Sequence, residues 1–181
     1  MRLETTIVAA QSMGILHLFP QVDDRASLRV IRDIEIDKSY PWAFFDGAAQ
    51  GLPTRCGGGG ILYISEEIYY NIRVRLGEGT NNFGEIMALK LLLLFAVEKE
   101  VKTIQIFGDS MVVINWANRT RECHIMRLIP IFEEIHRIIL LFDLIIFSHV
   151  YMELNGKADQ MSKEAARLQH GTWQVEAIKE T

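Results

Sequence analysis

WAFFDGAAQGLPTRCGGGGILYISEEIYYNIRVRL, residues 42 to 76, contains three segments that read as consecutive β-strands. Trp42 to Ala48 is aromatic and small-apolar and runs into Gly51, a turn residue. Gly60 to Ile64 is a second strand candidate, following the cluster Cys56 to Gly59. Tyr70, Ile72, Val74 and Leu76 alternate with Asn71, Arg73 and Arg75, and this period of two marks a half-buried strand. Only Ser65 to Ile68 lies between the second and third segments, so they are expected to form an antiparallel hairpin, with the first strand paired to the second.

Downstream the composition becomes helical. Glu85 to Lys99 is rich in Ala, Leu, Met and Lys, and Asn82 with Glu85 three residues later has the spacing of a capping box. Leu89, Leu92, Leu93 and Ala96 form its core-facing side. Thr103 to Phe107 reads as a short buried strand, and Asp109 to Ala117, after Gly108, as a helix. Strand, helix, strand predicts a right-handed parallel crossover. A helix over Ile125 to Leu141 containing Pro130, a fifth strand over Leu144 to Val150 and a closing helix over Asn155 to Leu168 complete the order βββαβααβα. It predicts an α/β domain over residues 41 to 170. Its sheet is mixed and five-stranded, three antiparallel strands followed by two parallel ones, with helices covering the faces. Residues 1 to 40, whose charged stretch Asp23 to Asp37 fits neither period, are read as an N-terminal extension or linker remnant, and 171 to 181 as a C-terminal tail.

The 181 residues are 49% hydrophobic and 23% charged, the balance of a packed globular chain. A net charge of -4 leaves no broad basic field, so any nucleic acid must be held by local contacts. Cys56 and Cys123 lie far apart without a C-x-x-C spacing, which excludes a zinc knuckle or disulfide framework and leaves inert thiols. A reducing intracellular setting, nucleus or cytoplasm, is expected. The longest clean apolar run, Leu91 to Val97, is far short of the ~20 residues of a membrane span, and no membrane partner is expected.

Four acids occupy positions where chemistry is usually placed: Asp46 in the first strand, Glu85 at the start of the long helix, Asp109 just past the fourth strand and Asp159 in the first turns of the last helix. If the first and fourth strands are neighbours, the four carboxylates converge at one end of the sheet. Like charges so close raise one another's pKa, and hard divalent cations, magnesium or manganese, are the natural counter-charge. Each acid also has a purely structural reading. Glu85 completes a capping box with Asn82, Asp109 is an N-cap, and Asp159 pairs with Lys163 at i, i+4.

Four stretches carry a family resemblance: Phe44 to Gly60 (FFDGAAQGLPTRCGGGG), Thr80 to Leu89 (TNNFGEIMAL), Ile106 to Trp116 (IFGDSMVVINW) and His149 to Lys163 (HVYMELNGKADQMSK). In order and separation they resemble the motifs of ribonuclease H type 1, and most of all the plant retrotransposon-derived reverse-transcriptase-like domains. The resemblance covers about Pro41 to Gln169 and implies an RNase H-like fold. It implies endonucleolytic hydrolysis of the RNA strand of RNA/DNA hybrids by two Mg2+ ions, with Mn2+ as a substitute, and Asp46, Glu85, Asp109 and Asp159 as the D-E-D-D metal-binding set. RNA is selected through 2′-hydroxyls in the wide minor groove. The resemblance implies that backbone around Gly57, Gly58 and Gly59 and the side chains of Asn81, Asn82 and Ser110 line that groove, with Glu85 touching a 2′-hydroxyl as well as metal. Membership in, or descent from, a reverse-transcriptase polyprotein is implied too.

The chain also departs from the pattern. Leu52, Pro53 and Thr54 stand where the family often has Asn-Pro-Gly, Met111 where it often has Gln, and Met152 where plant relatives often have Arg; each change removes a polar contact. A basic handle is absent, and His149 falls inside the fifth strand rather than in a mobile loop. These departures favour the alternative of a domesticated, weakly active or inactive binding module. Gly57 to Gly60 lacks a following Lys-Ser or Lys-Thr and is not a phosphate-cradling loop; it is read instead as a flexible hairpin entrance. His124 and His136 are read as surface or helix-end residues, and Arg73 and Arg75 meet either phosphate or solvent.

Overall fold

The computed structural model describes residues 35–181 together with the backbone of Thr5–Ile7. The three expected strands form a meander of β2 (Trp42–Gln50), β3 (Arg55–Tyr63) and β4 (Ile68–Arg75), with β1 (Thr5–Ile7) before them. Then follow α1 (Asn81–Glu98), β5 (Thr103–Gly108), α2 (Met111–Ala117), α3 (Ile129–Ile139), β6 (Leu144–His149), a single 3-10 turn (Met152–Leu154), α4 (Gly156–Ala165) and β7 (Trp173–Lys179). β2 pairs antiparallel with β3 and parallel with β5, which pairs parallel with β6. The expected mixed arrangement is present.

The strand count changes. Among the described residues the sheet has seven strands in the order β1-β6-β5-β2-β3-β4-β7, so the expected five are its centre and two edge strands are added. β1 pairs antiparallel with β6 and β7 with β4, the latter inside the segment read as a tail. Trp173, Val175 and Ala177 alternate with Gln174 and Glu176, a period of two inside the segment read as a tail, although its side chains are almost all exposed. Its backbone ladder to β4 holds it in place. The remainder of the 1–40 extension up to residue 34 lies outside the described residues.

The glycine run is also corrected: it is the middle of β3, which begins at Arg55 rather than Gly60. A Cβ on Gly57 would stand 2.2 Å from the Ser162 carbonyl oxygen, and one on Gly59 2.3 Å from the Ser162 nitrogen, both on α4. A Cβ on Gly58 would meet Val74 Cγ1 at 2.8 Å and Ala88 Cβ of α1 at 3.2 Å. Because successive strand residues point to opposite faces, α4 lies on one face and α1 on the other, and glycine lets both approach the strand closely. The main core lies on the α1 side, where Ile86, Leu89, Leu92 and Leu93 pack with Ile104, Ile106, Ile135 and Phe147. On the other face Trp42, Phe107 and Val150 form a smaller cluster.

The helix starts follow capping chemistry. Thr80, not Asn82, caps α1, its hydroxyl accepting from the Phe83 amide at 3.2 Å. Ser110, not Asp109, caps α2 and accepts from Val113. α3 begins at Ile129 rather than Ile125 because Pro130, which has no amide to donate, fits only the first turn. α4 is shorter than expected, running from Gly156 to Ala165. Among the described residues no helix is long and apolar enough to cross a membrane.

Candidate active site

Asp46 lies in the middle of β2 opposite Gly59, and Phe45 beside it is level with Gly108, the last residue of β5. The chain leaves the sheet there, so Asp109 emerges beside Asp46. Above them passes the start of α1. A Cβ on Gly47 would stand 2.1 Å from the Glu85 nitrogen, so glycine at 47 is what allows the helix to cross β2 at this height and deliver Glu85. One carboxylate oxygen from each of Asp46, Glu85 and Asp109 lies within 4.8 Å of the others. With Thr80 and Ser110 serving as caps, Glu85 and Asp109 are released from the structural roles considered for them.

Burial is the first cause of an unusual electrostatic state. It pushes the Asp46 carboxyl up to about 8, with Asp109 next in the same direction, a bond from the Gly47 amide opposing, and Glu85 and Asp159 adding. Burial pushes Glu85 up to about 7, opposed by a hydrogen bond from Ser110 and reinforced by Asp109. Asp109 is raised by burial against a hydrogen bond from Asn155. The Oε2 atom of Glu85 is buried and meets no hydrogen-bond partner among the described residues. Three convergent hard oxygen donors, short of counter-charge and with one acceptor unpaired, fit a divalent cation of the magnesium type.

Asp159 is placed differently. It lies in the first turn of α4, and its Oδ2 accepts from Lys163 Nζ at 2.7 Å, the i, i+4 pair read from the sequence. It is outside the close trio, although its charge reaches Asp46 and Asp109. The structure therefore brings three of the four acids together and sets the fourth at their rim.

The residues expected to meet substrate divide as well. Gly57, Gly58 and Gly59 are buried between the two helix layers, where the missing side chains allow α4 and α1 to approach β3 closely. Asn81 is exposed, and its Oδ1 accepts from the Ala49 amide at 2.9 Å, tying the start of α1 to the end of β2. Asn82 lines a cavity of about 380 Å³ with Phe83 and Arg127. Ser110 joins two elements, since its oxygen caps α2 while its hydroxyl bonds Glu85.

Three supporting residues were missed in the sequence. Asn155 is 1% exposed and donates from Nδ2 to the Phe45 carbonyl at 2.9 Å as well as bonding Asp109, so it clamps α4 to β2 beside the cluster. Its one signal was its place a helical turn before Asp159. His149, the last residue of β6, donates from Nε2 to the Asp109 carbonyl at 3.0 Å. Ser162 is fully buried; its hydroxyl donates to the Asp159 carbonyl at 2.8 Å and lies 3.4 Å from Asp46 Oδ2.

The family described as reverse transcriptase-like matches residues 44–165. Among solved structures, RNase H1 from the halophilic archaeon Halobacterium salinarum NRC-1 is 27% identical, covering 70% of this chain and 96% of that one at a TM-score of 0.65. The N-terminal RNase H domain of a Mycobacterium tuberculosis protein is 20% identical, with 70% and 93% covered and a TM-score of 0.63. LC11-RNase H1 in complex with an RNA/DNA hybrid is 23% identical, with 70% and 96% covered and a TM-score of 0.60. These last two likenesses are of fold. No curated protein is similar enough in sequence to count as a relative.

Proposed function

The chain belongs to the reverse transcriptase-like family, and from that premise we propose that it is a ribonuclease H that hydrolyses the RNA strand of RNA/DNA hybrids with two divalent ions, Mg2+ or in its place Mn2+. The observation that carries the reading is the convergence of Asp46, Glu85 and Asp109 from β2, α1 and the end of β5, with the buried Glu85 oxygen unpartnered. An RNase H-like fold supports it, as does a structural neighbour solved with an RNA/DNA hybrid. The family's description supports descent from a reverse-transcriptase polyprotein.

Asp46, Glu85 and Asp109 hold the metal in this reading, and Asp159 joins them from the rim. When bound, the ions supply Lewis-acid stabilisation of the charge that develops on phosphate oxygens. The chain's own contribution is alignment. The Gly47 amide fixes Asp46, the Ser110 hydroxyl fixes Glu85, and Asn155 with His149 fixes the segment at Asp109. Burial keeps bulk water from screening these groups. Asn81 and Asn82, at the first turn of α1, are the side chains we assign to the minor groove, beside the backbone around Gly57, Gly58 and Gly59.

A second reading has an observation of its own. Leu52 is 99% and Met152 66% exposed, two apolar side chains standing in solvent where the family often carries polar ones. They favour a binding module with little turnover. Cleavage of a labelled hybrid in Mg2+, in Mn2+ and in chelator, with double-stranded RNA and double-stranded DNA as controls, separates the two. Metal-dependent cutting of the hybrid's RNA strand alone, abolished by Asp109→Asn, is the expected result. Hybrid binding without cleavage in either metal would establish the second reading.

A further inference from the structure

A cavity of about 560 Å³ lies between α2 and α3, closed on one side by the loop that leaves α2. It shares no lining residue with the carboxylate cluster, and the cavity holding Asn82 is a separate one. Its volume is in the range that holds small ligands, roughly 300–1,000 Å³. Three kinds of group line it. Trp116 and Phe132, packed edge to face at 5.4 Å and nearly buried in the main core, form the apolar floor, with the exposed Leu140 beside it. Arg119, Arg121 and Arg137 stand at the rim, and none of them makes an ion pair within 4.0 Å among the described residues. Glu122 and Glu133 also face it, and neither has an ion-pair partner among the described residues.

The combination narrows the ligand. An apolar molecule would leave three guanidiniums unused, and a bare anion would leave the aromatic floor and meet two carboxylates. Burial and Arg119 hold the His136 imidazole below the usual range, against backbone bonds that include its Nε2 donating to the Trp116 carbonyl at 3.2 Å. We propose that this cavity binds a ribonucleoside monophosphate. Guanidiniums match phosphate oxygens in a forked geometry, a carboxylate accepts from a ribose diol, and a base packs on an aromatic wall.

Cys123 supplies a local reporter. It lines the cavity and is partly exposed, while Cys56, the other cysteine of the chain, is fully buried. The full chain is titrated with AMP, and the rate at which a chromogenic thiol reagent labels Cys123 is followed, with calorimetry alongside. Saturable protection by AMP is expected, with adenosine, inorganic phosphate and the 2′-deoxy nucleotide each at least severalfold weaker. Arg119→Gly is the informative variant because Arg119 sits at φ 56°, so glycine removes the guanidinium and relieves a left-handed residue at once. It and Arg137→Ala are each expected to weaken AMP about tenfold, the usual scale for one charged hydrogen-bonding group, and to leave hybrid cleavage unchanged. Three results would overturn the assignment. They are an absence of protection by AMP, undiminished protection in both arginine variants, and loss of hybrid cleavage in those variants, which would make the cavity part of the nucleic-acid track.

Discussion

Replacing Asp46 by asparagine probes the electrostatics of the carboxylate cluster. Asp46 is 6% exposed, and burial with Asp109 alongside pushes its carboxyl up to about 8, against ~3.9 for a free aspartic acid. The folded chain therefore binds a proton that the unfolded chain has released at every pH between those values, and metal-free stability falls as pH rises through that window. At pH 7 the loss is on the order of 4 kcal/mol, and near pH 4 it vanishes. Asparagine keeps the shape, still accepts from the Gly47 amide and never ionises. In chelator, Asp46→Asn is expected to melt about ten degrees above the wild type at pH 7, taking ~2–4 °C per kcal/mol for a chain of this size, and level with it near pH 4. Thermal melts from pH 4 to 9, with and without Mg2+, measure this, and Mg2+ is expected to stabilise the wild type but not the variant. A variant no more stable than the wild type at pH 8 in chelator, or a gap that ignores pH, would refute the argument. The carboxylate would then be satisfied by the protein rather than poised for a cation.

Gly59→Ala forces a methyl to within 2.3 Å of the Ser162 nitrogen, so α4 must move off β3. A loss of roughly 3 kcal/mol or more in urea unfolding is expected, whereas Gly156→Ala, with open space around it, is expected to be harmless. Asn155→Ala removes the clamp between the Phe45 carbonyl and Asp109. It should cost about 1–3 kcal/mol in a denaturant melt and lower kcat for hybrid cleavage more than it raises KM; an unchanged kcat would deny Asn155 a positioning role. Met152→Arg introduces a cation at an exposed site. A rise in kcat/KM on hybrid at low salt, fading as salt is added, is expected; an unchanged value would show that substrate grip is not limiting.

Much of the sheet was legible in the sequence because period and composition are properties of short segments. The alternation of Tyr70, Ile72, Val74 and Leu76 marked β4, and the Leu-rich stretch after Asn82 marked α1. The succession of types then gave the parallel crossover and put Asp46, Glu85 and Asp109 on neighbouring elements. Tertiary structure decided whatever depended on a partner distant in the chain. β7 has a short alternation in Trp173, Val175 and Ala177, but its side chains bury little, and its ladder to β4 is what adds it to the sheet. The run from Gly57 to Gly60, locally a poor strand, is one because two helices press on it from opposite faces. Thr80 took the cap that Asn82 could have held, which released Glu85 to the cluster. Asp159 lies at the rim because that is where the packing of α4 on the sheet puts it, and Lys163, a turn along its own helix, pairs with it there. Side-chain types and their spacing along the chain decide which contacts are possible. The close approach of distant segments decides which are made, since a buried group is satisfied only by what packing brings within its reach.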